Sequence, residues 1–432
     1  MQELSYSALV AWLSCVMLLV VLALHIRRAA SITSTPTNRP QRPLCILSMD
    51  GGGIKGVVLA TVLEALQGRT ELPISRLFDL IVGTSTGGVV AVHLAFTKSP
   101  TEALRDYRAS LEYVRRVLCR RSKLQLCCTG FECTARDARH VARSTMPVKQ
   151  FGPLPPPQAH EMAAPHGAAA DIPHTTHVAV VTARLGSGGV WEPFLLRNYH
   201  TSVGEQSKLS DAEPHSSASS SDDGAADWSV ENMVLATTAA PMLFPPFELG
   251  ARSFVDGAIV YQNPTPLALR EARRIWPGRP LGLVVSLGTG QLRREAARMS
   301  SPLYWISTML NMAFDSNRVH REIQDTLLPA IASECSHPFY FRLSPVLESG
   351  TMVSSSPEEV AGLVRQAEHL VKQKARELDQ IAVYLLLATK RARYLATSAG
   401  RSEAERLCGP HADPRELSTA LERLRTSGFE DL

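Results

Sequence analysis

The stretch "LFDLIVGTSTGGVVAVHLAF" (Leu77–Phe96) decides the fold class. Its apolar first half predicts a buried strand, its glycines predict a tight turn, and its apolar second half predicts a helix. The same order occurs earlier, where Leu44–Ser48 is typical of a buried strand and Gly56–Leu66 of a helix that Gly68 stops. The stretch "LGLVVSLGTG" (281–290) is a further buried strand ending in a glycine turn. Alternating strands and helices predict an α/β fold, with a parallel sheet covered by helices.

The turn inside the first stretch carries a catalytic motif. Residues Gly83–Gly87 read "GTSTG", which is G-x-S-x-G placed between a strand and a helix. A nucleophile elbow requires that setting, because the glycines permit a sharp turn and a close approach of the substrate. We therefore predict that Ser85 is a nucleophile at the end of the strand. The alternative is a plain turn between strand and helix.

A nucleophilic serine needs a base. Asp256 follows a short apolar run and precedes a glycine in "SFVDGAIVYQNPT". It can take the serine proton directly if it is held close and partly desolvated, because a free carboxylate is a weak base. His320, in "SNRVHREI", would complete a Ser–Asp–His order, although its polar helical surroundings are typical of a surface histidine. The residues alone leave both a dyad and a triad open.

A second glycine motif follows the first predicted strand, in "LCILSMDGGGIKGVVLA" (44–60). Residues 51–56 spell the G-x-G-x-x-G of dinucleotide-binding proteins, but backbone N–H groups at a helix start suit a transient oxyanion equally well. A dinucleotide site needs a strand ending in an acid about 20 residues later, and Glu71 has no strand-like run before it. A P-loop is excluded because glycine, not Ser or Thr, follows Lys55.

The N-terminus predicts a membrane anchor. Leu4–Leu24 contains no charged residue, and a helix of that length spans about 30 Å, one bilayer core. Arg27 and Arg28 follow it, whereas Glu3 precedes it, so the positive-inside rule predicts a single-pass membrane protein with a cytosolic catalytic part. A cleaved signal peptide, with its positive charge in front, is the alternative. The C-terminal "FEDL" matches no typical retrieval signal, so the endoplasmic reticulum is only the default expectation for the organelle.

Composition excludes some other classes of function. The net charge of +4 over 432 residues argues against a dedicated nucleic-acid partner. Eight cysteines without a C-x-x-C pair fit reduced thiols. Cys119, Cys127, Cys128 and Cys133 cluster, but their spacing matches no common zinc pattern, so a zinc site is only an alternative. Residues 113–125 form a basic amphipathic pattern, which suits either anionic lipid headgroups or an ordinary solvated helix whose apolar side packs on the core.

Three ordered motifs give the chain a family resemblance. The motifs "DGGGIKG", "GTSTGG" and "DGA", in that order, resemble the patatin-like phospholipase family. The stretches "ATTAAPMLFPPFELG" and "QNPTPLALREARRIWP" are similar to its calcium-independent phospholipase A2 group, the gamma type above all. The resemblance covers about residues 43–390, apart from two low-complexity insertions.

The resemblance implies a fold, an activity and a set of site residues. The fold is a patatin-like modified α/β-hydrolase three-layer sandwich, and the activity is cleavage of fatty acyl esters of glycerophospholipids at a membrane. Ser85 would be the nucleophile, Asp256 the base without a catalytic histidine, and Gly51, Gly52 and Gly53 the oxyanion hole. The resemblance implies no metal, no calcium and no cofactor.

The expected organisation combines these assignments. Residues 1–28 are the transmembrane anchor, 29–42 a linker, 43–295 the catalytic domain, 296–390 its helical extension and 391–432 a C-terminal tail. The two insertions, about 144–176 and 207–227, interrupt the catalytic domain. Two other functions stay open: a triacylglycerol lipase or transacylase with the same dyad, and a catalytically weak membrane-bound scaffold.

Overall fold

A computed structural model describes residues 42–96, 134–145, 176–199, 228–241, 243–292, 315–332, 338–348 and 356–428. The predicted anchor at Leu4–Leu24, the basic segment 113–125 and the cysteines at 119–133 lie outside these residues, as do the insertion at 207–227 and nearly all of the one at 144–176. Among the helices described, none combines the length and the apolar character that crossing a membrane requires.

The strands alternate with helices along the described chain. The strands are β1 (Leu44–Met49), β2 (Leu80–Thr84), β3 (His177–Leu185), β4 (Trp191–Arg197), β5 (Phe247–Leu249), β6 (Arg252–Asp256), β7 (Leu281–Leu287), β8 (Gln291–Leu292), β9 (Phe339–Leu343) and β10 (Val346–Leu347). The helices are α1 (Gly56–Thr70), α2 (Thr86–Phe96), α3 (Ala135–Thr145), α4 (Val230–Thr238), α5 (Ala258–Tyr261), α6 (Thr265–Ile275), α7 (Ser316–Glu322), α8 (Leu328–Ala332), α9 (Pro357–Gln373), α10 (Ala375–Lys390), α11 (Ala392–Leu395), α12 (Ser398–Cys408) and α13 (Pro414–Thr426). Short 3₁₀ turns lie at Gly53–Lys55 and Ile74–Arg76, and a π-helical turn at Ile323–Leu327.

The central sheet is mixed rather than purely parallel. Within the described chain its strand order is β5-β6-β3-β2-β1-β7-β9. Strands β2 and β6 pair with successive parts of one edge of β3, and β4 pairs with the other edge. Strands β3, β2, β1, β7 and β9 run parallel. Strands β4 and β6 are antiparallel to β3, and β5 is antiparallel to β6. The predicted α/β class is confirmed, and the antiparallel strands lie at one side of the sheet.

The central strand β1 shows why the sequence forms a sheet with two covered faces. Cys45, Leu47 and Met49 belong to the core formed with α1, α2 and α10, whereas Leu44 and Ile46 belong to the core formed with α6 on the opposite face. Successive side chains of a strand point to opposite faces, so a strand buried on both faces is continuously apolar. The described part of the chain therefore has three layers: helices, sheet and helices.

The C-terminal helices belong to the main core. Helix α9 packs against α1, and α10 packs against α1, α12 and α13. The helical extension predicted at 296–390 contains α9 and α10. The residues that the sequence assigned to a tail form α11–α13, and Leu407, Leu417 and Leu424 are buried in the same cluster as Leu386. The extension also supplies β9, which widens the sheet beside β7.

Parallel strands bring the candidate site together at one edge. The carboxyl ends of β1, β2 and β7 meet there, because these strands run in the same direction. Asp50 follows β1, Ser85 follows β2 and Gly288 follows β7. Crevices at the carboxyl ends of parallel strands are the usual sites of ligand binding in α/β proteins.

Candidate active site

The turn between β2 and α2 places Ser85 in a strained conformation. Its φ of 52° lies in the left-handed region, which non-glycine residues seldom adopt. The flanking glycines are required by packing: a Cβ at Gly83 would lie 2.1 Å from the Gly87 carbonyl oxygen, and a Cβ at Gly87 would lie 2.4 Å from that of Met49. The Ser85 N–H donates to Thr237 Oγ1 at 2.8 Å. This geometry is that of a nucleophile elbow.

Strand register brings Asp256 to Ser85. Thr84, the last residue of β2, pairs with Val181 of β3. The next residue of β3, Thr182, pairs with Asp256, the last residue of β6. Because β6 runs antiparallel to β3, it reaches the carboxyl edge of β2 from the opposite direction. Two side chains far apart in sequence therefore meet along the same edge of β3.

The two side chains are hydrogen-bonded. Ser85 Oγ donates to Asp256 Oδ2 at 2.6 Å, and the residues are only 8% and 4% exposed. The other carboxylate oxygen, Oδ1, accepts from the Ala258 N–H at 2.8 Å, and the Asp256 N–H donates to the Ala239 carbonyl at 3.0 Å. The carboxylate is thus fixed on both sides, with one oxygen directed at the serine hydroxyl.

Burial changes the proton affinity of Asp256. Desolvation raises the pKa of this carboxyl to about 6, although the hydrogen bonds from Ser85 and Ala258 act to lower it. A base whose pKa lies closer to neutrality accepts a proton more readily than an ordinary carboxylate does. The site therefore meets the condition that the sequence set for direct proton transfer to Asp256.

His320 lies beside a different partner. It is in α7 and half-buried rather than on an open surface, and its Nδ1 is 2.9 Å from the hydroxyl of Tyr340 in β9. Burial and the charge of Arg342 lower the pKa of His320. Within the described residues, the carboxylate of Asp256 contacts Ser85 and Ala258 and not His320. The geometry thus offers a dyad, and it does not join His320 to it.

The glycine loop after β1 lies against Ser85. A Cβ at Gly51 would stand 3.2 Å from Cβ of Ser85. The loop is tied down on several sides: Thr289 Oγ1 donates to the Gly51 carbonyl at 2.8 Å, and Thr86 Oγ1 donates to the Gly53 carbonyl at 2.9 Å. Gly53 has a φ of 57°, which favours glycine. The loop therefore holds one conformation beside Ser85.

The three glycines predicted for the oxyanion hole are not equivalent. The N–H of Gly51 donates to the Gln262 carbonyl at 3.0 Å, so it is engaged inside the protein. The N–H of Gly52 makes no hydrogen bond to any residue that the structure describes. A Cβ at Gly52 would lie 2.2 Å from Thr289 Oγ1, so no larger residue fits there without displacing the loop. Of Gly51 and Gly52, Gly52 is therefore the one whose backbone N–H no described residue engages.

Several residues of the site carry no local sequence signal. Thr237 of α4 binds the Ser85 N–H, and Arg342 of β9 binds the Asp50 carboxylate. Lys55 is buried and donates from Nζ to the Gly290 carbonyl at 3.2 Å, and burial lowers its pKa. Lys55 belongs to the glycine motif itself, but only the fold brings Thr237, Arg342 and Gly290 to the loop. The predicted strand and glycine turn at 281–290 were the one sequence signal among these three positions.

Comparisons with known proteins place the chain among phospholipases. The patatin-like phospholipase family model matches residues 47–269, just over half of the 432 residues. Calcium-independent phospholipase A2-gamma of Rattus norvegicus is 28% identical over 351 residues, covering 80% of this chain and 40% of that protein. Phospholipase A I of Arabidopsis thaliana is 27% identical over 342 residues, covering 71% and 25%. The chain thus spans less than half the length of these curated relatives.

A solved structure gives only a distant likeness. Human GIVD cytosolic phospholipase A2, in complex with a fluorophosphonate inhibitor and terbium chloride, superposes with a TM-score of 0.33 and 15% identity. The match covers 86% of this chain and 62% of that one. The family assignment rests on the sequence match over residues 47–269 and not on this superposition.

Proposed function

Because the chain belongs to the patatin-like phospholipase family, we propose that it cleaves fatty acyl esters of glycerophospholipids without calcium, through a Ser85–Asp256 dyad. One observation carries the proposal: Ser85 Oγ lies 2.6 Å from the buried Asp256 carboxylate, beside a glycine loop. Relatives named calcium-independent phospholipase A2-gamma and phospholipase A I support the substrate class.

The first half-reaction acylates the serine. Ser85 Oγ attacks the acyl carbonyl carbon while Asp256 Oδ2 takes the hydroxyl proton. The negative charge that develops on the carbonyl oxygen receives a hydrogen bond from the Gly52 N–H, and such a donor lowers the barrier by about 3 kcal/mol. When the tetrahedral intermediate collapses, the lysophospholipid oxygen leaves with the proton that Asp256 held. The fatty acyl group stays on Ser85 as an ester.

The second half-reaction releases the fatty acid. A water molecule attacks the acyl-enzyme carbonyl and gives its proton to Asp256. The same loop donor stabilises the second oxyanion. Collapse of this intermediate returns the proton to Ser85 Oγ and frees the carboxylic acid. One carboxylate thus acts as base and then as acid in each half-reaction, which is why a raised pKa suits it.

The substrate lies in a bilayer, so the catalytic part must work at a membrane surface. The apolar segment Leu4–Leu24 and the basic segment 113–125 support this placement by their sequences. We propose that the first anchors the chain in a single pass with the catalytic part in the cytosol, and that the second contacts anionic headgroups.

The decisive experiment measures fatty acid release by the purified full chain. The substrates are phosphatidylcholine and triacylglycerol in matched mixed micelles, with EGTA or with added calcium. We expect release from phosphatidylcholine at the same rate in both conditions. Ser85→Ala and Asp256→Asn should each lose several orders of magnitude, and the double variant should be little worse, because nucleophile and base act as one unit.

A surface carboxylate gives the matched control. Asp379→Asn removes the partner of Arg69, a partly exposed pair in α10 and α1 remote from the dyad, and should keep full activity. Near-wild-type activity of Asp256→Asn would refute the dyad. Faster release from triacylglycerol would favour the neutral-lipid lipase, and no release from either lipid by wild type would favour the scaffold.

A further inference from the structure

A buried ion pair links the glycine loop to the last strand of the sheet. Arg342, in β9, donates from Nη1 to Asp50 Oδ1 at 2.8 Å and from Nη2 to Oδ2 at 2.5 Å. The two side chains are only 6% and 1% exposed. A bidentate contact between a guanidinium and a carboxylate fixes the orientation of the two groups as well as the distance between them. The Asp50 carboxylate therefore has one position relative to β9.

The guanidinium is itself fixed by its surroundings. Nη1 also donates to Ser286 Oγ at 2.8 Å, and that hydroxyl accepts from Thr265 Oγ1 at 2.9 Å. Gly288 leaves the required space, because a Cβ there would lie 2.7 Å from Nη2 of Arg342. Burial lowers the pKa of Arg342, but attraction to Asp50 more than offsets it and the pKa is raised. Arg342 thus stays charged, and Asp50 and Ser286 hold its two terminal nitrogens.

Stability alone does not account for such a pair. Removing two charges from water costs about as much as their attraction returns, so a buried pair is often no more stable than apolar side chains of the same volume. The position of Asp50 in the chain offers another reason for the buried ion pair. Asp50 directly precedes Gly51, whose Cβ position lies 3.2 Å from Cβ of Ser85. Asp50 is also tied to β7, since its N–H donates to the Leu287 carbonyl at 2.9 Å.

We propose that Arg342 is a positioning residue for ester hydrolysis: through Asp50 it holds the glycine loop so that the Gly52 N–H meets the oxyanion formed at Ser85. The inference rests on the function proposed above. Arg342 lies beyond the residues 47–269 that match the family model, so the family motifs do not include it. The C-terminal extension would then contribute directly to the geometry of the site.

The role predicts a particular kinetic signature. A misplaced oxyanion donor costs up to about 10²–10³ in kcat, so we expect Arg342→Met to lower kcat by roughly ten- to a hundredfold. KM should change by less than about threefold, because the donor acts on the transition state and not on the bound ester. The acidic limb of the pH profile should stay where it is, because Asp256 keeps its contacts with Ser85 and Ala258.

The experiment uses the full chain and p-nitrophenyl butyrate, a soluble ester. Competent sites are counted by complete labelling of the serine with a fluorophosphonate, and kcat is expressed per labelled site. Counting sites separates a positioning effect from a loss of folded protein. Arg342→Lys keeps the positive charge but lacks the planar guanidinium that makes the bidentate contact. We therefore expect its kcat to lie between those of wild type and Arg342→Met.

A second buried pair supplies the matched control. Arg197 of β4 donates to both carboxylate oxygens of Glu271 in α6, at 2.6 and 3.1 Å, and the pair is 5% and 4% exposed. Arg197→Met should lower the melting temperature about as much as Arg342→Met does, and leave kcat per labelled site unchanged. Asp50→Asn combined with Arg342→Met should be no more than about threefold worse than the worse single variant, because the two act as one unit.

Each outcome decides the proposal. If kcat per labelled site in Arg342→Met stays within threefold of wild type while the melting temperature falls as in Arg197→Met, the pair is only structural and the inference is wrong. If Arg342→Met does not fold, Arg342→Lys and Ser286→Ala, which removes one support of the guanidinium, decide by the same criterion. If wild type shows no serine-dependent hydrolysis, the proposed function fails first, which is a different result.

Discussion

At the scale of single residues, both members of the proposed dyad are held in states that they disfavour. Ser85 has a φ of 52°, and such a conformation costs on the order of 1 kcal/mol or more for a non-glycine residue. Asp256 keeps a carboxylate in a site that is 4% exposed. Hydrogen bonds from Ser85 and Ala258 compensate this burial only in part, because the pKa of Asp256 is still raised. Stability is thus given up where the chemistry is proposed to occur.

The pKa of Asp256 predicts the pH dependence of the reaction. The base must be ionised to take the serine proton, and burial raises its pKa to about 6. We therefore expect kcat/KM to fall tenfold for each pH unit below about 6 and to level off above it. The measurement is a pH–rate profile on a soluble ester. A profile that stays flat down to pH 4.5 would contradict the role of Asp256.

The same shift predicts how stability depends on pH. The folded-state pKa, about 6, exceeds the ordinary value of 3.8, so the folded protein binds this proton more tightly than the unfolded chain does. The contribution of Asp256 to stability is therefore present at low pH and is lost as pH rises from about 4 through 6. Asp256→Asn does not titrate. Its free energy of unfolding relative to wild type should be about 2 kcal/mol higher at pH 8 than near pH 4.

Urea unfolding at the two pH values measures this difference. The comparison depends on the change with pH and not on the absolute stability, so any packing defect of the asparagine cancels. An equal difference between variant and wild type at both pH values would mean that Asp256 titrates alike in the folded and unfolded states, contrary to its burial.

At the scale of elements, two glycine turns that follow adjacent parallel strands build the site. The turn after β2 presents Ser85, and the loop after β1 lies against it. Gly87 shows how closely they pack, because a Cβ there would lie 2.4 Å from the carbonyl of Met49, the last residue of β1. The register of two neighbouring strands thus sets the distance between Ser85 and the glycine loop.

Gly52→Ala tests the loop. A Cβ at Gly52 would lie 2.2 Å from Thr289 Oγ1, and this hydroxyl donates to the Gly51 carbonyl at 2.8 Å. The substitution must therefore displace the loop, and we expect kcat to fall about a hundredfold, as for loss of an oxyanion donor. Gly68→Ala is the matched control: α1 runs to Thr70, so Gly68 lies inside the helix that it was expected to stop, and its Cβ would meet no atom within 4 Å. It should keep full activity and gain up to about 1 kcal/mol of stability; equal activity of both variants would argue against the loop's role.

How much of the site the sequence predicts depends on how local each contact is. Ser85 is found from five residues, because the elbow is a local turn between a strand and a helix. Asp256 has a weaker signal and was supported by the order of three motifs. Thr237 and Arg342 escape prediction, since they lie 152 and 292 residues from Ser85 and Asp50. Only tertiary packing brings each residue to its partner, and no pattern in the sequence indicates that contact.

At the scale of the whole molecule, the C-terminal helices α11–α13 are part of the hydrophobic core that contains the sheet. The sequence predicted the helical extension that contains α9 and α10, but it assigned residues 391–432 to a tail, because the two longer helices there each bury only a narrow apolar stripe. In the fold these stripes meet α10: Leu407, Leu417 and Leu424 are almost completely buried. Removal of residues 391–432 should therefore leave no soluble folded enzyme.

Substitution of a single buried lysine tests the attachment of these helices with a smaller change than removal of residues 391–432. Lys390, 5% exposed at the end of α10, donates from Nζ to the carbonyl oxygens of Leu424, Arg425 and Ser427, at 2.8, 3.0 and 2.8 Å. It thereby satisfies the last carbonyls of α13. Lys390→Met removes a charged donor from three acceptors, so we expect about 2 kcal/mol of lost stability.

Thermal unfolding measures this loss, and Lys372→Met, at an exposed position of α9, is the control that should leave the melting temperature unchanged. Because α13 packs against α10 and α12, activity per folded molecule at 25 °C should match wild type. A fall in melting temperature with unchanged kcat would assign the C-terminal helices to stability, in contrast to Arg342, for which we expect kcat itself to fall. A loss of kcat in Lys390→Met would instead mean that the packing of α10 and α13 reaches the site.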